Sequence, residues 1–216
     1  MTRLPATRYR LAIFDFDGTL ADSLPWFRSS FDDMVARFNL TPVPAEEMEG
    51  LRGLSAREIM ARLNVSKWQL PDIVSDMRKR KLAAASEISL FNDIPAMLTE
   101  LQHLGIKVAI VSSDSEASVR KVLGAATTLI TRFDCGAAMF GKHWKFRRVA
   151  RRLSVTPSET ICIGDEIRDI EAAQAAGMDS GAVAWGYALP AALQAAGPTH
   201  FFNSIEEMTQ RLAAAK

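Results

Sequence analysis

Several features that mark specialised protein classes are scarce in this sequence. There are two cysteines, Cys135 and Cys162, too few for a disulfide framework and not spaced as a zinc site. Both are expected to be small buried apolar residues in a protein kept in a reducing cytoplasm. An excess of one charge is also missing. Lys and Arg number 26 against 25 Asp and Glu, a net charge of +1, and the basic residues form no stripe that would neutralise nucleic-acid phosphates. No nucleic-acid partner is therefore expected. The longest apolar stretches, around 11–16 and 108–111, are strand-sized, far below the roughly 20 residues a bilayer crossing requires. The start of the chain carries Arg3, Arg8 and Arg10 with no apolar stretch after them long enough for a secretory signal, so no membrane partner is expected either. The three histidines, His103, His143 and His200, are dispersed without ligand spacing. No repeat stands out, and the one low-complexity tract is the alanine-rich end, 212–216.

What is present suits a globular protein. At 216 residues and 48% apolar content the chain can build one mid-sized domain, or a core carrying a smaller insertion. After an apolar run at 11–16, residues Leu24, Phe27, Phe31, Val35 and Phe38 recur at helical spacing. Pro42 and Pro44 then interrupt the chain, and Ser55-Ala-Arg-Glu58 and Ser66-Lys-Trp-Gln69 each have the form of a capping box that opens a helix. From Leu24 to about Glu87 the pattern is helical throughout. Beyond it the reading alternates: helix from Asp93-Ile-Pro95 to Leu104, strand 107–111, helix 116–123, helix 145–153, strand 160–163, helix 167–176 ended by Gly177, strand 181–184, and a last helix opened by Ser204-Ile-Glu-Glu207. Such alternation predicts an α/β fold, a Rossmann-like parallel sheet with helices on both faces. A small all-helical cap is inserted after the first strand. The expected division is a core of 1–22 and 88–216 and a cap of 23–87.

In sheets of this kind ligands sit at the carboxyl ends of the strands, and the polar clusters of this chain fall there. Leu11-Ala-Ile-Phe-Asp15-Phe-Asp17-Gly18-Thr19-Leu20 sets two carboxylates two residues apart before a glycine turn. In an extended segment such side chains share a side, so both are expected to converge on one substrate atom. One can attack phosphorus through an aspartyl phosphate while the other moves the proton. Ser112-Ser113-Asp114-Ser115 follows a strand and precedes a helix, a cradle of hydroxyl and N–H donors suited to phosphate. Asp114 would repel a phosphate, so it is expected to face away or cap the helix. Ile161-Cys-Ile-Gly164-Asp165-Glu166-Ile-Arg-Asp169 places acids at a strand end and in the first helical turn. An oxygen-only set of carboxylates suits Mg²⁺ rather than zinc.

Together these strings resemble the haloacid dehalogenase-like hydrolase superfamily. The first matches its Asp-x-Asp-Gly-Thr motif, and the extension Leu20-Ala-Asp22-Ser23 is similar to the phosphoglycolate-phosphatase-like branch. The resemblance implies that Asp15 is the nucleophile and Asp17 the general acid/base. Ser112 occupies the second motif, with Ser113 where Asn is frequent. Phe140-Gly141-Lys142 supplies the third-motif lysine, with Lys145 as its rival. Gly164-Asp165 to Asp169 is the fourth. Gly18, Ser112, Ser113 and Lys142 are then expected around the phosphate. The metal set is Asp15, Asp17, Asp165 and Asp169, with Asp165 a direct ligand and Asp169 acting through water or by orienting Lys142; Glu166 is a further candidate for that outer role.

The function implied is a Mg²⁺-dependent phosphatase hydrolysing a small phosphorylated metabolite. Within the superfamily the alternatives are a sugar-phosphate mutase or a phosphonate hydrolase; a catalytically idle phosphate-binding module is the reading from another class. Haloacid dehalogenation is disfavoured by the presence of Asp17. A Schiff-base phosphonatase needs a cap lysine, and Lys67, Lys79 and Lys81 fall in no matching motif. In the cap loop Glu49-Gly-Leu-Arg52-Gly-Leu-Ser55, Arg52 is a candidate for binding a substrate carboxylate bidentately. Trp185-Gly186 reads as packing.

Overall fold

The computed structural model describes residues 8–136 and 141–214. Strand β1 (Leu11–Phe14) is buried at all four positions and has a parallel neighbour on each side. It is followed by β2 (Ala21–Asp22), helices α1 (Leu24–Arg37), α2 (Met48–Leu51), α3 (Ala56–Arg62) and α4 (Leu70–Ala83), then β3 (Ser89–Leu90), α5 (Ile94–His103), β4 (Lys107–Ile110) and α6 (Glu116–Leu123). The second half contains β5 (Arg132–Phe133), α7 (Lys142–Arg152), β6 (Thr160–Gly164), α8 (Ile167–Ala176), β7 (Asp179–Val183), α9 (Pro190–Ala195), β8 (His200–Phe202) and α10 (Ile205–Ala213). Six of these strands form a parallel sheet in the order β5-β4-β1-β6-β7-β8. The fold is α/β, as expected.

Alternation along the strands divides the core. Ala12 and Phe14, Val108 and Ile110, and Ile161 and Ile163 pack toward Met97, Leu101, Val119 and Met208, on the side of α5, α6 and α10. Leu11, Ile13, Ala109, Val111 and Cys162 pack toward Phe146, Val149, Ala173 and Ala176 on α7 and α8. With helices on both faces, the central strand β1 is apolar throughout rather than alternating with polar residues.

In chain order helices α1 to α4 fall between β1 and the rest of the sheet, and they enclose an apolar cluster of their own, with Phe31, Met34, Leu51, Leu63 and Ile73 at its centre. They form the helical cap. Ala21 and Asp22 pair antiparallel with Leu90 and Ser89, so the chain leaves for the cap and returns at adjacent points. The Ser55–Glu58 capping box is present. Ser66 and Gln69 also hydrogen-bond reciprocally, although the regular helix starts only at Leu70.

Several boundaries differ from expectation. Helix α7 begins three residues early, at Lys142, because Gly141 adopts a left-handed conformation with φ +82° and launches it there. Strand β7 starts at Asp179 rather than 181. The edge strands β5 and β8 and the β2–β3 pair go beyond the sequence expectation; at two or three residues each, they are too short for periodicity to register. Among the described residues no helix is long and apolar enough to cross a membrane.

Candidate active site

Strand phase carries the Asp15 side chain to the face of the sheet occupied by α7 and α8, since Leu11 and Ile13 point there. Asp165 follows the tip of the neighbouring β6 and Asp169 lies in the first turn of α8. All three carboxylates are buried, and each offers an oxygen within 4.8 Å of the others. Lys142, at the N-terminus of α7, bridges two of them: its Nζ is 3.0 Å from Asp15 Oδ2 and 2.6 Å from Asp169 Oδ1. Burial alone would depress this ammonium, but Asp15 and Asp169 outweigh it and hold its pKa above that of an ordinary lysine. Lys145 points elsewhere, to Asp134 Oδ1 at 3.0 Å. Phe140 lies outside the described residues.

Asp165 is held from several directions. Thr19 Oγ1 donates to its Oδ1 at 2.7 Å and the Tyr187 amide to its Oδ2 at 2.8 Å. Burial, then Glu166, Asp15 and Asp169, push its carboxyl well above the usual range. Two glycines are required by its position. A Cβ on Gly18, which has φ +73°, would fall 2.2 Å from Asp165 Oδ2, and one on Gly186 would fall 2.1 Å from Asp165 Cβ. Asp169 accepts from the Glu166 amide at 3.2 Å, and burial raises its carboxyl to about 6 despite Lys142. Glu166 in turn caps α8 and pairs with Arg168.

Asp17 is not brought into the three-carboxylate group. β1 ends at Phe14, and the amides of Leu20 and Ala21 turn back onto the Phe16 carbonyl, so the shared-side rule for an extended segment no longer applies. Asp17 Oδ1 instead accepts from Ser23 Oγ at 2.7 Å and pairs with Lys81 of α4. Burial and the nearby Asp114 raise its pKa against the pull of Lys81. Asp114 is buried as well, and it neither faces away nor caps α6. Its Oδ2 is 2.8 Å from Lys81 Nζ, while Ser115 is the residue that caps the helix. Ser112 is buried, its Oγ accepting from the Asp114 amide at 3.0 Å. The Ser113 carbonyl accepts from Arg78.

The Arg52 guanidinium is engaged by protein. Its Nε donates to the Tyr187 carbonyl at 2.8 Å, an Nη to the Gly186 carbonyl at 3.2 Å, and the other Nη pairs with Glu49. It fastens the cap to the loop after β7 rather than reaching into the acid group.

Tyr187, and the place of Lys81 between two acids, escape the sequence reading. Tyr187 stands alone after a strand and carries no signal. Lys81 belongs to no motif, yet it continues the four-residue spacing of Ile73 and Met77, both facing the cap interior.

An all-oxygen donor set from three buried carboxylates, with one lysine to offset them, fits a hard divalent cation. Comparison with known proteins agrees with this arrangement. The family model for haloacid dehalogenase-like hydrolases matches residues 12–183. A phosphoglycolate phosphatase from Synechococcus elongatus is 28% identical over 200 residues, covering 92% of this chain and 94% of its own. A haloacid dehalogenase-like family hydrolase from Streptococcus pneumoniae superposes with a TM-score of 0.76 at 21% identity, covering 94% of this chain and 98% of its own. CbbY from Rhodobacter sphaeroides, solved as a mutant in complex with xylulose-(1,5)bisphosphate, gives 0.72 at 22% identity over 92% of this chain and 96% of its own. The protein belongs to the haloacid dehalogenase-like hydrolase family.

Proposed function

We propose that the protein is a Mg²⁺-dependent phosphatase that hydrolyses a small phosphorylated metabolite through an aspartyl phosphate, with the core at 1–22 and 88–216 and the cap at 23–87. The observation that carries this reading is the meeting of Asp15, Asp165, Asp169 and Lys142 at the strand tips. Two anions, a carboxylate and a phosphate, must approach each other there. At about 4 Å each pair of unit charges repels by about 4 kcal/mol at an effective dielectric near 20.

In this proposal Asp15, Asp165 and Asp169 would hold a Mg²⁺, which would supply charge neutralisation for the phosphoryl oxygens. Lys142 lowers the remaining repulsion and fixes the Asp15 carboxylate. Asp15 attacks phosphorus and the ester bond to the leaving oxygen breaks. Asp17, whose carboxyl is raised by burial against the pull of Lys81, passes a proton to the departing alkoxide. It then takes one from the water that attacks the aspartyl phosphate, which restores Asp15 and releases inorganic phosphate. Ser112, Ser113 and the backbone at Gly18 orient the phosphoryl group. Positioning and charge carry most of the rate.

A Schiff-base phosphonate hydrolase needs a cap lysine; Lys81 falls in no matching motif, but it lies beside Asp17 and Asp114. Burial lowers its pKa, but Asp17 and Asp114 more than compensate and keep it an ammonium, the wrong state for attack on a carbonyl. The cytoplasm is the proposed location, supported by two free thiols.

The test is phosphate release from a panel of metabolite phosphates with and without Mg²⁺, with Asp15→Asn as control. Mg²⁺-dependent release lost in the variant, and a phosphoenzyme that hydroxylamine cleaves, are expected. Turnover unchanged in Asp15→Asn rejects the assignment.

A further inference from the structure

Between the cap helices and the strand tips lies a cavity of about 330 Å³, at the lower end of the roughly 300–1,000 Å³ that holds drug-sized ligands. Asp17, Lys81, Asp114 and Glu166 border it, so it adjoins the candidate active site on the side of Asp17. The rest of its wall is mostly apolar and comes from all four cap helices, including Phe31 and Met34 of α1, Leu51 of α2, Ile59 of α3, and Ile73 and Met77 of α4.

Most of the charged groups at its border already have partners within the protein. Arg28 pairs with Glu49 at 2.8 Å, and Arg52 holds the Tyr187 and Gly186 carbonyls. Arg78 donates to the Ser113 carbonyl, Lys81 lies between Asp17 and Asp114, and Arg168 pairs with Glu166. A second anionic group on a substrate would therefore compete with an existing partner at most of these cations, Arg168 Nε being the one buried donor among them without a hydrogen-bond partner. An apolar group would displace nothing but water and would bury apolar wall that is otherwise wetted.

We propose that this cavity receives the organic part of the substrate, and that the substrate is a phosphate monoester of a predominantly apolar alcohol, alkyl or aryl, rather than a small carboxylate-bearing ester. The proposal rests on the phosphatase reading above and narrows its substrate class. Phosphate stays at Asp15 while the apolar group extends past Asp17 into the cap.

The experiment measures kcat/KM of the full chain with Mg²⁺ for ethyl, butyl, hexyl and octyl phosphate, beside phosphoglycolate and glycerol phosphate. Values should climb about fourfold per methylene until the cavity is full, with the two polar esters below butyl phosphate. A flat or falling series, or phosphoglycolate above octyl phosphate, overturns the inference and leaves the phosphatase reading intact. Absence of release from every ester defeats the phosphatase reading instead. The cavity is then judged by calorimetric titration with ethyl- and octylphosphonate: tighter octyl binding supports it, and equal affinity ends it. In Val74→Phe, which adds a ring to the cavity wall, the chain-length gain should vanish while ethyl phosphate is still hydrolysed. An unchanged series in that variant, with its fold verified by circular dichroism, also overturns the proposal.

Discussion

Lys81 of the cap and Asp114 of the core meet at 2.8 Å, with side chains only 6% and 3% exposed. Removing one member of such a buried pair strands the other without compensation, which costs about 3–5 kcal/mol. Lys81→Met should therefore lower the urea midpoint sharply, and Lys81→Met combined with Asp114→Asn should recover a large part of the loss. Additive losses in the double-variant cycle would show that the two residues are not coupled.

Lys142 serves two carboxylates, so its replacement affects both chemistry and folding. Lys142→Ala is expected to reduce kcat by about 10²–10³, the range for loss of one preorganised electrostatic group. Lys142→Arg should not rescue it, because a planar guanidinium does not fit a pocket built for a compact ammonium. Steady-state phosphate release decides the matter, and rates near those of the unmodified protein would remove Lys142 from the machinery. Lys145→Ala is the companion variant, expected to keep kcat.

Metal affinity should depend on what holds Asp165. In Thr19→Val the 2.7 Å hydrogen bond to Asp165 Oδ1 is lost, and such supporting contacts are worth about 10–100-fold in metal affinity. Gly186→Ala should be more severe, since its Cβ would overlap the Asp165 side chain. Thermal midpoints followed across a Mg²⁺ titration should show a weaker response for Thr19→Val and almost none for Gly186→Ala.

Far from the site, Tyr9 donates to Asp179 Oδ2 at 2.7 Å and its hydroxyl lies 2.8 Å from His200 Nε2. Burial, then Arg211 and Arg8, lower the His200 pKa, with Asp179 opposing. The unfolded chain thus takes up this proton first as the pH falls. The contribution of His200 to stability should be full above the unfolded value of about 6.5 and decline as the pH drops through the depressed folded value. Urea unfolding at a series of pH values should show a shallower decline in His200→Gln; the same slope in both proteins would exclude this origin.

The fold is legible in the sequence where strands are long enough and flanked by helices of clear period. Leu11 to Phe14, Lys107 to Ile110 and Thr160 to Gly164 are apolar runs followed closely by polar residues, and parallel pairing then carries Asp15, Ser112 and Asp165 to one edge. Contacts made across the cap are not legible. Arg52 reads as a ligand because a glycine-flanked loop leaves its direction open, whereas the structure turns it onto the Tyr187 and Gly186 carbonyls. Asp114 reads as turned away because its counter-charge, Lys81, lies far back in the chain, on a helix whose approach to the end of β4 no local pattern encodes. Asp15 and Asp17 separate because the strand stops at Phe14, and no sequence period marks that point.

The two-residue ladder of Ala21 and Asp22 with Leu90 and Ser89 has a consequence for descent. Because exit and re-entry lie side by side, the hydrogen bonding of the six-stranded sheet is indifferent to the size or kind of segment spliced between them. A gene could exchange that segment, as a grafter changes the scion on a rootstock, and acquire a new clientele of molecules while inheriting the sheet and its acids, provided the newcomer brings a cation to replace Lys81 beside Asp17 and Asp114.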